Sequence, residues 1–481
     1  MSIQTFPYRY NRSDVKAGII HFGVGNFHRA HEEYYTNKLL EYDDQSGWGI
    51  CGAMILERDA RIFQALIKQG LEYGLTVCGR TGQDAFWKIG SIVELLWGVE
   101  DASAVISKIA DPEIKIITLT ITEGGYNTDK ETGDFVLENE DIKYDLTQPA
   151  VPRTAFGYIA EGLIARKNAG AGPITILSCD NLQHNGDTCR KAFTSYFAAR
   201  DPKLAAWVNE NVTFPNSMVD RITPATTPED IVRLKEVTGF EDEAPVYCED
   251  FIQWVIEDDF IAGRPAWERV GVEFTDDVTA YENMKLGLLN ASHQMLSYPS
   301  FLAGYRKVDD AMNDARFSKY LRLFMDVDAT PYIPAPPGAD LEEYKTVLIE
   351  RFGNHSVSDQ LARLCFDGIA KIPVYNMPGI TAMVTAHATL KRVTFFIAAY
   401  RHYLKYKVDD KGAAFEINDP SITENDLRLV ESDDPLDFLG VSCFLSADLR
   451  ASDAFVSSYL EMVAGIREKG VEPVLETLLT P

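Results

Sequence analysis

The chain has few cysteines and no pair of them spaced to act together. Its seven, Cys51, Cys78, Cys179, Cys189, Cys248, Cys365 and Cys443, include no C-x-x-C pair. An odd, scattered set suits reduced thiols in a cytoplasm better than a disulfide framework. The eight histidines are dispersed and none belongs to an HExxH signature. That disfavours a zinc enzyme and leads us to expect no metal. There is no P-loop and no nucleophile elbow. No run of about 18 uncharged apolar residues occurs, so no membrane span is expected. Residues 1–16 lack the apolar core of a signal peptide. Positive charge is also scarce. Lys and Arg number 46 against 72 Asp and Glu, a formal net charge of -26. That balance opposes non-specific binding to nucleic acid or to an anionic membrane surface.

What is present is enough for a large core. The 481 residues are 46% hydrophobic, which fits two or three packed domains. Residues 17–22 form a short apolar strand, followed by Gly23, Gly25 and a helical pattern to about Leu40. Further buried strands are expected at 48–56, 114–122 and 174–179, with a crossover helix over 153–168. Their near-continuous β-branched character favours interior parallel strands. Beyond residue 280 helical patterns dominate, at 281–297, 314–327, 339–352, 356–369, 380–405, 423–433 and 452–467. The pattern predicts an α/β nucleotide-binding domain over 1–278 and a largely helical domain over 279–481.

A strand, a Gly-x-Gly turn and a helix are the right context for pyrophosphate. Glycines let the backbone approach the phosphates, and the helix N-terminus supplies N–H donors. Gly23, Val24, Gly25, Asn26 and Phe27 make this turn. The third position of the usual GxGxxG is His28, so a plain βα turn stands beside the nucleotide reading. Arg29 either touches phosphate or stabilises the first helix, and His28 either packs near a cofactor or does the same. The second strand ends in Glu57, Arg58 and Asp59. A carboxylate here can accept hydrogen bonds from adenosine ribose hydroxyls and repel a 2′-phosphate. Asp59 is the first candidate and Glu57 the second. Arg58 and Arg61 leave room for NADP.

The helical segment from Tyr281 holds Lys285, Asn290 and His293 among leucines. At about 100° per residue, Glu282, His293 and Asn290 fall near 60°, 80° and 140° from Lys285 on an α-helix, so all four border one face. A polar helix edge is the plain alternative. Oxidising a secondary alcohol requires hydride loss from carbon and proton loss from oxygen. A free lysine, with a pKa of about 10.4, must be brought down by burial or a neighbouring cation to act as the base. Asparagine can donate N–H bonds to the alkoxide without competing for the proton. Asn290 is one such donor. Asn181, just after an apolar strand, is the other. His293 either binds a hydroxyl or packs as a hydrogen-bonded core residue. Asp220, Arg363 and Lys371 either hold the hydroxyls of an extended substrate or form local ion pairs and exposed cations.

Six motifs in order carry a family resemblance. They are Gly23-Val-Gly-Asn-Phe-His-Arg-Ala-His31, Thr120-Ile-Thr-Glu-Gly-Gly-Tyr126, Ser178-Cys-Asp-Asn181, Met218-Val-Asp-Arg-Ile-Thr-Pro224, the Lys285, Asn290, His293 set, and Asp367-Gly368 through Lys371-Ile-Pro373. Over almost its whole length the chain resembles the long-chain mannitol dehydrogenase family of polyol-specific dehydrogenases. The resemblance implies a Rossmann-type N-terminal domain with additional elements and a predominantly α-helical C-terminal domain. It implies NAD as cofactor, with Asp59 in the position that favours it. It implies Lys285 as general acid/base, Asn181 and Asn290 as oxyanion donors, and His293, Asp220, Arg363 and Lys371 around the polyol or ketose. Glu282 takes the proton-channel position. A monomer is the expected state.

Within the family the likeness points to exchange of D-mannitol with D-fructose, especially over 271–293. Two departures bear on the substrate. Leu286 and Gly287 follow Lys285 where relatives often carry a basic residue, and Gln294 follows His293 where Ser is common. D-arabinitol/D-xylulose exchange and fructuronate reduction are the alternatives within the family. A catalytically silent NAD-binding regulatory protein is the alternative of a different class.

Overall fold

The computed structural model describes residues 3–129 and 132–480. The chain divides into two compact units, Met1–Thr279 and Ala280–Pro481.

In the first unit, six strands form one all-parallel sheet. Their order is Ile92–Trp97, Gly49–Met54, Ala17–Phe22, Ile116–Leu119, Ile174–Ser178 and Val212–Thr213. Successive strand residues point to opposite faces. Ile20, Phe22, Cys51, Ala53, Ile117, Leu119 and Ile176 accordingly pack into one core, whereas Ile19, Ile50, Ile116 and Leu177 pack into another. Both faces are buried, which is why these strands read as unbroken apolar runs. The first core is completed by residues of the helices Ala102–Ala110, Ala155–Ala169, Asn185–Arg200 and Pro202–Asn211. The second takes Tyr35 and Leu39 from the helix Glu32–Leu39, with Trp254 and Trp267. This is the Rossmann-type arrangement expected.

Two smaller sheets elaborate it. One pairs Gln4–Phe6, Ala85–Ile89, Tyr73–Cys78 and Val246–Glu249 in that order, and the other pairs Ser217–Asp220, Gln253–Glu257 and Glu273–Thr275. The helix expected from the glycine turn to Leu40 is two helices, Asn26–Ala30 and Glu32–Leu39. They meet at His31, whose φ of -116° and ψ of -85° are not helical. The seven cysteines are all buried and unpaired.

The second unit is helical. Its central segment runs from Thr279–Met284 through Lys285–Asn290 to Ala291–Leu302. All 12 residues of Ala291–Leu302 are buried. Two of its hydroxyls bond locally, Ser297 donating to Gln294 O and Ser300 to Leu296 O. Around it pack Leu361–Cys365, Gly368–Tyr375, Ala315–Leu323 and Lys391–Tyr406, and the last carries Asp453–Lys469.

The segment Lys285–Asn290 is π-helical, not α-helical. The N–H of Ala291 reaches Leu286 O, five residues back. A second π segment, Phe324–Ala329, packs against it. Gly287 lies against Ile333, just beyond that segment, and a Cβ there would lie 2.6 Å from Ile333 Cδ1.

Two expected helices are each divided. The pattern 356–369 resolves into Leu361–Cys365 and the start of Gly368–Tyr375, parted by Asp367 at φ 54°. The pattern 380–405 resolves into Met377–Thr385 and Lys391–Tyr406, parted near His387 at φ 52°. A non-glycine residue in the left-handed region is uncommon and leaves no compositional mark.

The second π segment is fixed by a buried ion pair. Arg392 Nη2 donates to Asp328 Oδ1 at 2.9 Å, and both residues are buried. Burial pushes the Asp328 carboxyl up, and the Arg392 guanidinium opposes that. Removing one partner of such a pair strands the other charge. Arg392→Ala should therefore lower unfolding stability by about 3–5 kcal/mol, read as a shifted denaturant midpoint. A loss under about 1 kcal/mol would show that the pair does not anchor this segment.

Candidate active site

The strand Ala17–Phe22 lies in the middle of the parallel sheet. The chain continues to Gly49–Met54 on one side and reaches Ile116–Leu119 on the other. This reversal of strand order opens a crevice at the carboxyl ends of the strands, where open α/β sheets bind ligands. Gly23 stands at that point. Its φ is +99°, and a Cβ built on it would lie 2.1 Å from Thr120 O. No side chain fits there, so the two strand exits can pass this closely only with glycine. Gly25 then caps the helix Asn26–Ala30.

A cavity of about 540 Å³ opens here in the first unit. Gly23, Val24 and Gly25 line it on one side, Arg58 and Asp59 on another, and Thr120, Ile121 and Thr122 on a third. Burial pushes the Asp59 carboxyl up, with Arg58 acting against that. Glu57 is exposed at the start of the same short 3-10 turn.

Four expected loop residues lie beneath this surface. Asn26 Oδ1 accepts from Arg29 Nη2 at 2.7 Å. Arg29 is buried, its guanidinium also donating to the carbonyls of Ala244 and Gly25 and lying over the Tyr73 ring. Its side chain therefore serves the packing under the turn. Phe27 stacks on His31. His28 is buried against His21, with ring planes 8° apart and centroids 3.3 Å apart.

His21, His28 and Glu32 form the one group among the described residues with metal-ligand types this close together. Parallel stacked rings aim their in-plane lone pairs side by side instead of at one point. His21 Nδ1 is 2.7 Å from Thr118 Oγ1, and its Nε2 is 2.9 Å from Thr120 Oγ1. Burial drives the His28 ring well below the usual histidine range and the nearby Glu33 carboxyl well above its own. His21 is hydrogen-bonded within this core, whereas His28 packs by stacking and has no hydrogen-bond partner on either ring nitrogen.

Asn181 follows the strand Ile174–Ser178 and is half-buried. Its turn is strapped by buried Asn185, whose Nδ2 donates to Ser217 O at 2.8 Å and Asp180 O at 3.1 Å. Asn185 Oδ1 accepts from Ser217 N–H at 2.8 Å. Ser217 starts the strand that ends at Asp220, so one amide ties the Asn181 turn to the Asp220 strand. Asp220 is buried, and Arg221 donates to Ala30 O and Glu249 O. Sequence reasoning passed over Asp180 and Asn185. Both stand in or beside the Ser178 to Asn181 motif, and a polar residue at a parallel strand's exit was the available signal.

In the second unit, Glu282, Lys285 and His293 are buried and Asn290 is half-buried. A turn closed by an i→i+5 bond holds more residues than an α turn. Each residue then advances by less than 100°. Lys285 and Asn290, five apart, are brought nearer to one face than the regular helix allows. The His293 ring stacks on Phe352 with centroids 4.2 Å apart, and its Nε2 has no hydrogen-bond partner. Burial holds the ring well below the usual histidine range, helped by the charges of Arg363, Arg351, Lys371 and Lys285.

The group is held from behind. Gln294 Nε2 donates to Leu364 O at 3.1 Å, fastening the central helix to the helix that carries Arg363. Arg363 Nε donates to Asp359 Oδ1 at 2.8 Å, and Lys371 Nζ to Arg363 O at 3.2 Å.

Known proteins share this organisation. Residues 17–269 match the mannitol dehydrogenase Rossmann domain, and residues 277–466 match the mannitol dehydrogenase C-terminal domain. A polyol:NADP oxidoreductase of Gluconobacter oxydans is 40% identical, with 98% of this chain and 97% of that protein covered. A mannitol 2-dehydrogenase of Phaeosphaeria nodorum is 38% identical, with 97% and 82% covered. The structure of Pseudomonas fluorescens mannitol 2-dehydrogenase, solved as a ternary complex with NAD and D-mannitol, superposes with a TM-score of 0.89 at 40% identity, covering 100% of this chain and 99% of that one. A substrate-free D-sorbitol dehydrogenase gives 0.90 at 37% identity, covering 99% and 100%. Among the described residues, no helix is long and apolar enough to cross a membrane. The chain belongs to the mannitol dehydrogenase family of polyol oxidoreductases.

Proposed function

We propose that the protein is a NAD-dependent mannitol 2-dehydrogenase that interconverts D-mannitol and D-fructose without a metal. The observation that carries this reading is the group on the π-turn helix, where Lys285 and Asn290 share a turn and buried His293, its ring held well below the usual histidine range, follows them. Full-length similarity to a mannitol 2-dehydrogenase solved with NAD and D-mannitol supports the substrate.

The dinucleotide fits the cavity at the switch point. Gly23, Val24 and Gly25 line it, and the N-terminus of Asn26–Ala30 faces the turn with its N–H donors. Asp59 accepts from ribose hydroxyls. Bound there, the nicotinamide supplies the acceptor for the hydride that leaves the carbinol carbon. Lys285 Nζ takes the hydroxyl proton as that carbon is oxidised and returns it during ketose reduction. Asn181 and Asn290 donate N–H bonds to the developing alkoxide. His293, kept neutral, hydrogen-bonds a substrate hydroxyl. Asp220, Arg363 and Lys371 hold the remaining hydroxyls, and Glu282 exchanges the Lys285 proton with solvent. Polyol and ketose are the only partners this scheme requires.

One observation favours NADP use. The Gluconobacter relative is named for NADP, and here Arg58 lines the cavity beside Asp59. Its guanidinium could pair with a 2′-phosphate.

NADH oxidation measured in parallel with D-fructose, D-xylulose and D-fructuronate, and repeated with NADPH, tests the substrate. Selectivity for D-fructose with NADH is expected. Preference for another ketose would move the substrate assignment, and absence of turnover with all three would remove the enzymatic reading. Lys285→Ala should lower kcat by about 10²–10⁴-fold across pH, with NADH binding retained. Near-normal turnover would exclude Lys285 as the base. Asp59→Ala should lower the NAD-over-NADP ratio of kcat/KM by about tenfold or more. An unchanged ratio would take Asp59 out of cofactor choice.

A further inference from the structure

Asp180 precedes Asn181, but its carboxylate serves a different segment. Oδ1 accepts from the Thr122 N–H at 2.8 Å, and Oδ2 accepts from the Ile121 N–H at 3.1 Å and the Tyr126 hydroxyl at 2.8 Å. The residue is 7% exposed. Burial pushes its carboxyl up to about 6, and the three donors oppose that. Burial also pushes the Tyr126 phenol far up, which keeps its proton available for donation.

The segment held this way is under strain. Thr122 has φ 68° and ψ 163°, a region that is essentially glycine's alone. For a β-branched residue this backbone persists only when its surroundings impose it. The Asp180 carboxylate imposes it from one side, taking the N–H groups of Thr122 and of the residue before it. Thr120, Ile121, Thr122 and Gly124 line the cavity assigned to the dinucleotide. The main chain of Asp180 meanwhile begins the Asn181 turn, its carbonyl accepting from Leu182 N–H and from Asn185 Nδ2.

We propose that Asp180 is a positioning residue that clamps the strained Ile121–Thr122 wall of the dinucleotide cavity and sets it in register with Asn181. One side chain thereby couples seating of the cofactor to placement of an alkoxide donor. The proposal rests on the dinucleotide reading of the cavity. It differs from a purely structural role because its loss should appear first in the cofactor terms.

The test uses the full chain, with NADH titrated by fluorescence and steady-state kinetics in NAD and D-mannitol. Asp180→Asn replaces an acceptor with an amide that faces donors. It should weaken NADH binding roughly ten- to hundredfold, raise KM for NAD more than KM for D-mannitol, and lower kcat. Tyr126→Phe removes a single donor and should weaken NADH by about threefold or more. Adding Thr122→Gly to Asp180→Asn removes the strain and should restore part of the NADH affinity. If Asp180→Asn fails to fold, Tyr126→Phe decides the matter. A folded Asp180→Asn chain with NADH affinity and kcat within about twofold of wild type overturns the role of Asp180. So does a Tyr126→Phe chain that binds NADH as wild type does. A wild-type chain that binds no NADH overturns the dinucleotide reading itself, and this proposal with it.

Discussion

The nucleotide end of the first unit depends on how closely two strand exits pass each other. The chain leaving Phe22 and the chain leaving Leu119 are adjacent parallel strands, and Gly23 lies against the Thr120 carbonyl with no room for a side chain. Thr120 N–H bonds Phe22 O at 2.9 Å, extending the ladder one step past the strands. From this contact the rest follows. The first chain turns away into a helix whose N-terminus faces the crevice, and the second becomes the crevice's far wall. Asp180, at the exit of the next strand, fixes that wall from behind. Three neighbouring strand ends thus build one surface, the first two joined by main-chain groups and the third by the Asp180 side chain.

The helical unit solves a different problem by a related device. A regular helix sets Lys285 and Asn290 at opposite edges of one face, about 140° apart. The π turn draws them together, at the cost of a less regular bond pattern. The second π segment packs against the first, and Gly287 opens the space for Ile333. Local irregularity is therefore concentrated where the polar side chains stand. Beyond it, Ala291–Leu302 returns to an α-helix buried on every side.

Much of this was legible in the sequence. The parallel strands showed themselves because both of their faces are apolar. The glycine turn showed itself because strand, turn and helix occur in immediate succession. The Lys285 group stood out as polar residues in a leucine-rich stretch. Other features left no local trace. The breaks at Asp367 and His387 are made by non-glycine residues with positive φ, which composition does not mark. The π turn has the same apolar periodicity as an α-helix over so short a length. For Arg29 the sequence left a phosphate contact and support of the first helix equally open, and the fold turns its guanidinium toward Ala244 O, 215 residues away in the chain. Asp180 went unread because its partners, Ile121 to Tyr126, lie on another strand's exit.

The π turn also says which changes this region can absorb. Its six residues, Lys285–Asn290, occupy a length that fewer residues would span as an ordinary helix. Replacing one leucine by another apolar residue leaves the path of the chain intact. Deleting a single residue would let the segment relax into regular winding and rotate everything after it, His293 included, relative to Lys285. The segment is thus constrained more by its residue count than by its composition. Variation among homologous chains should reach its side chains before it reaches its length.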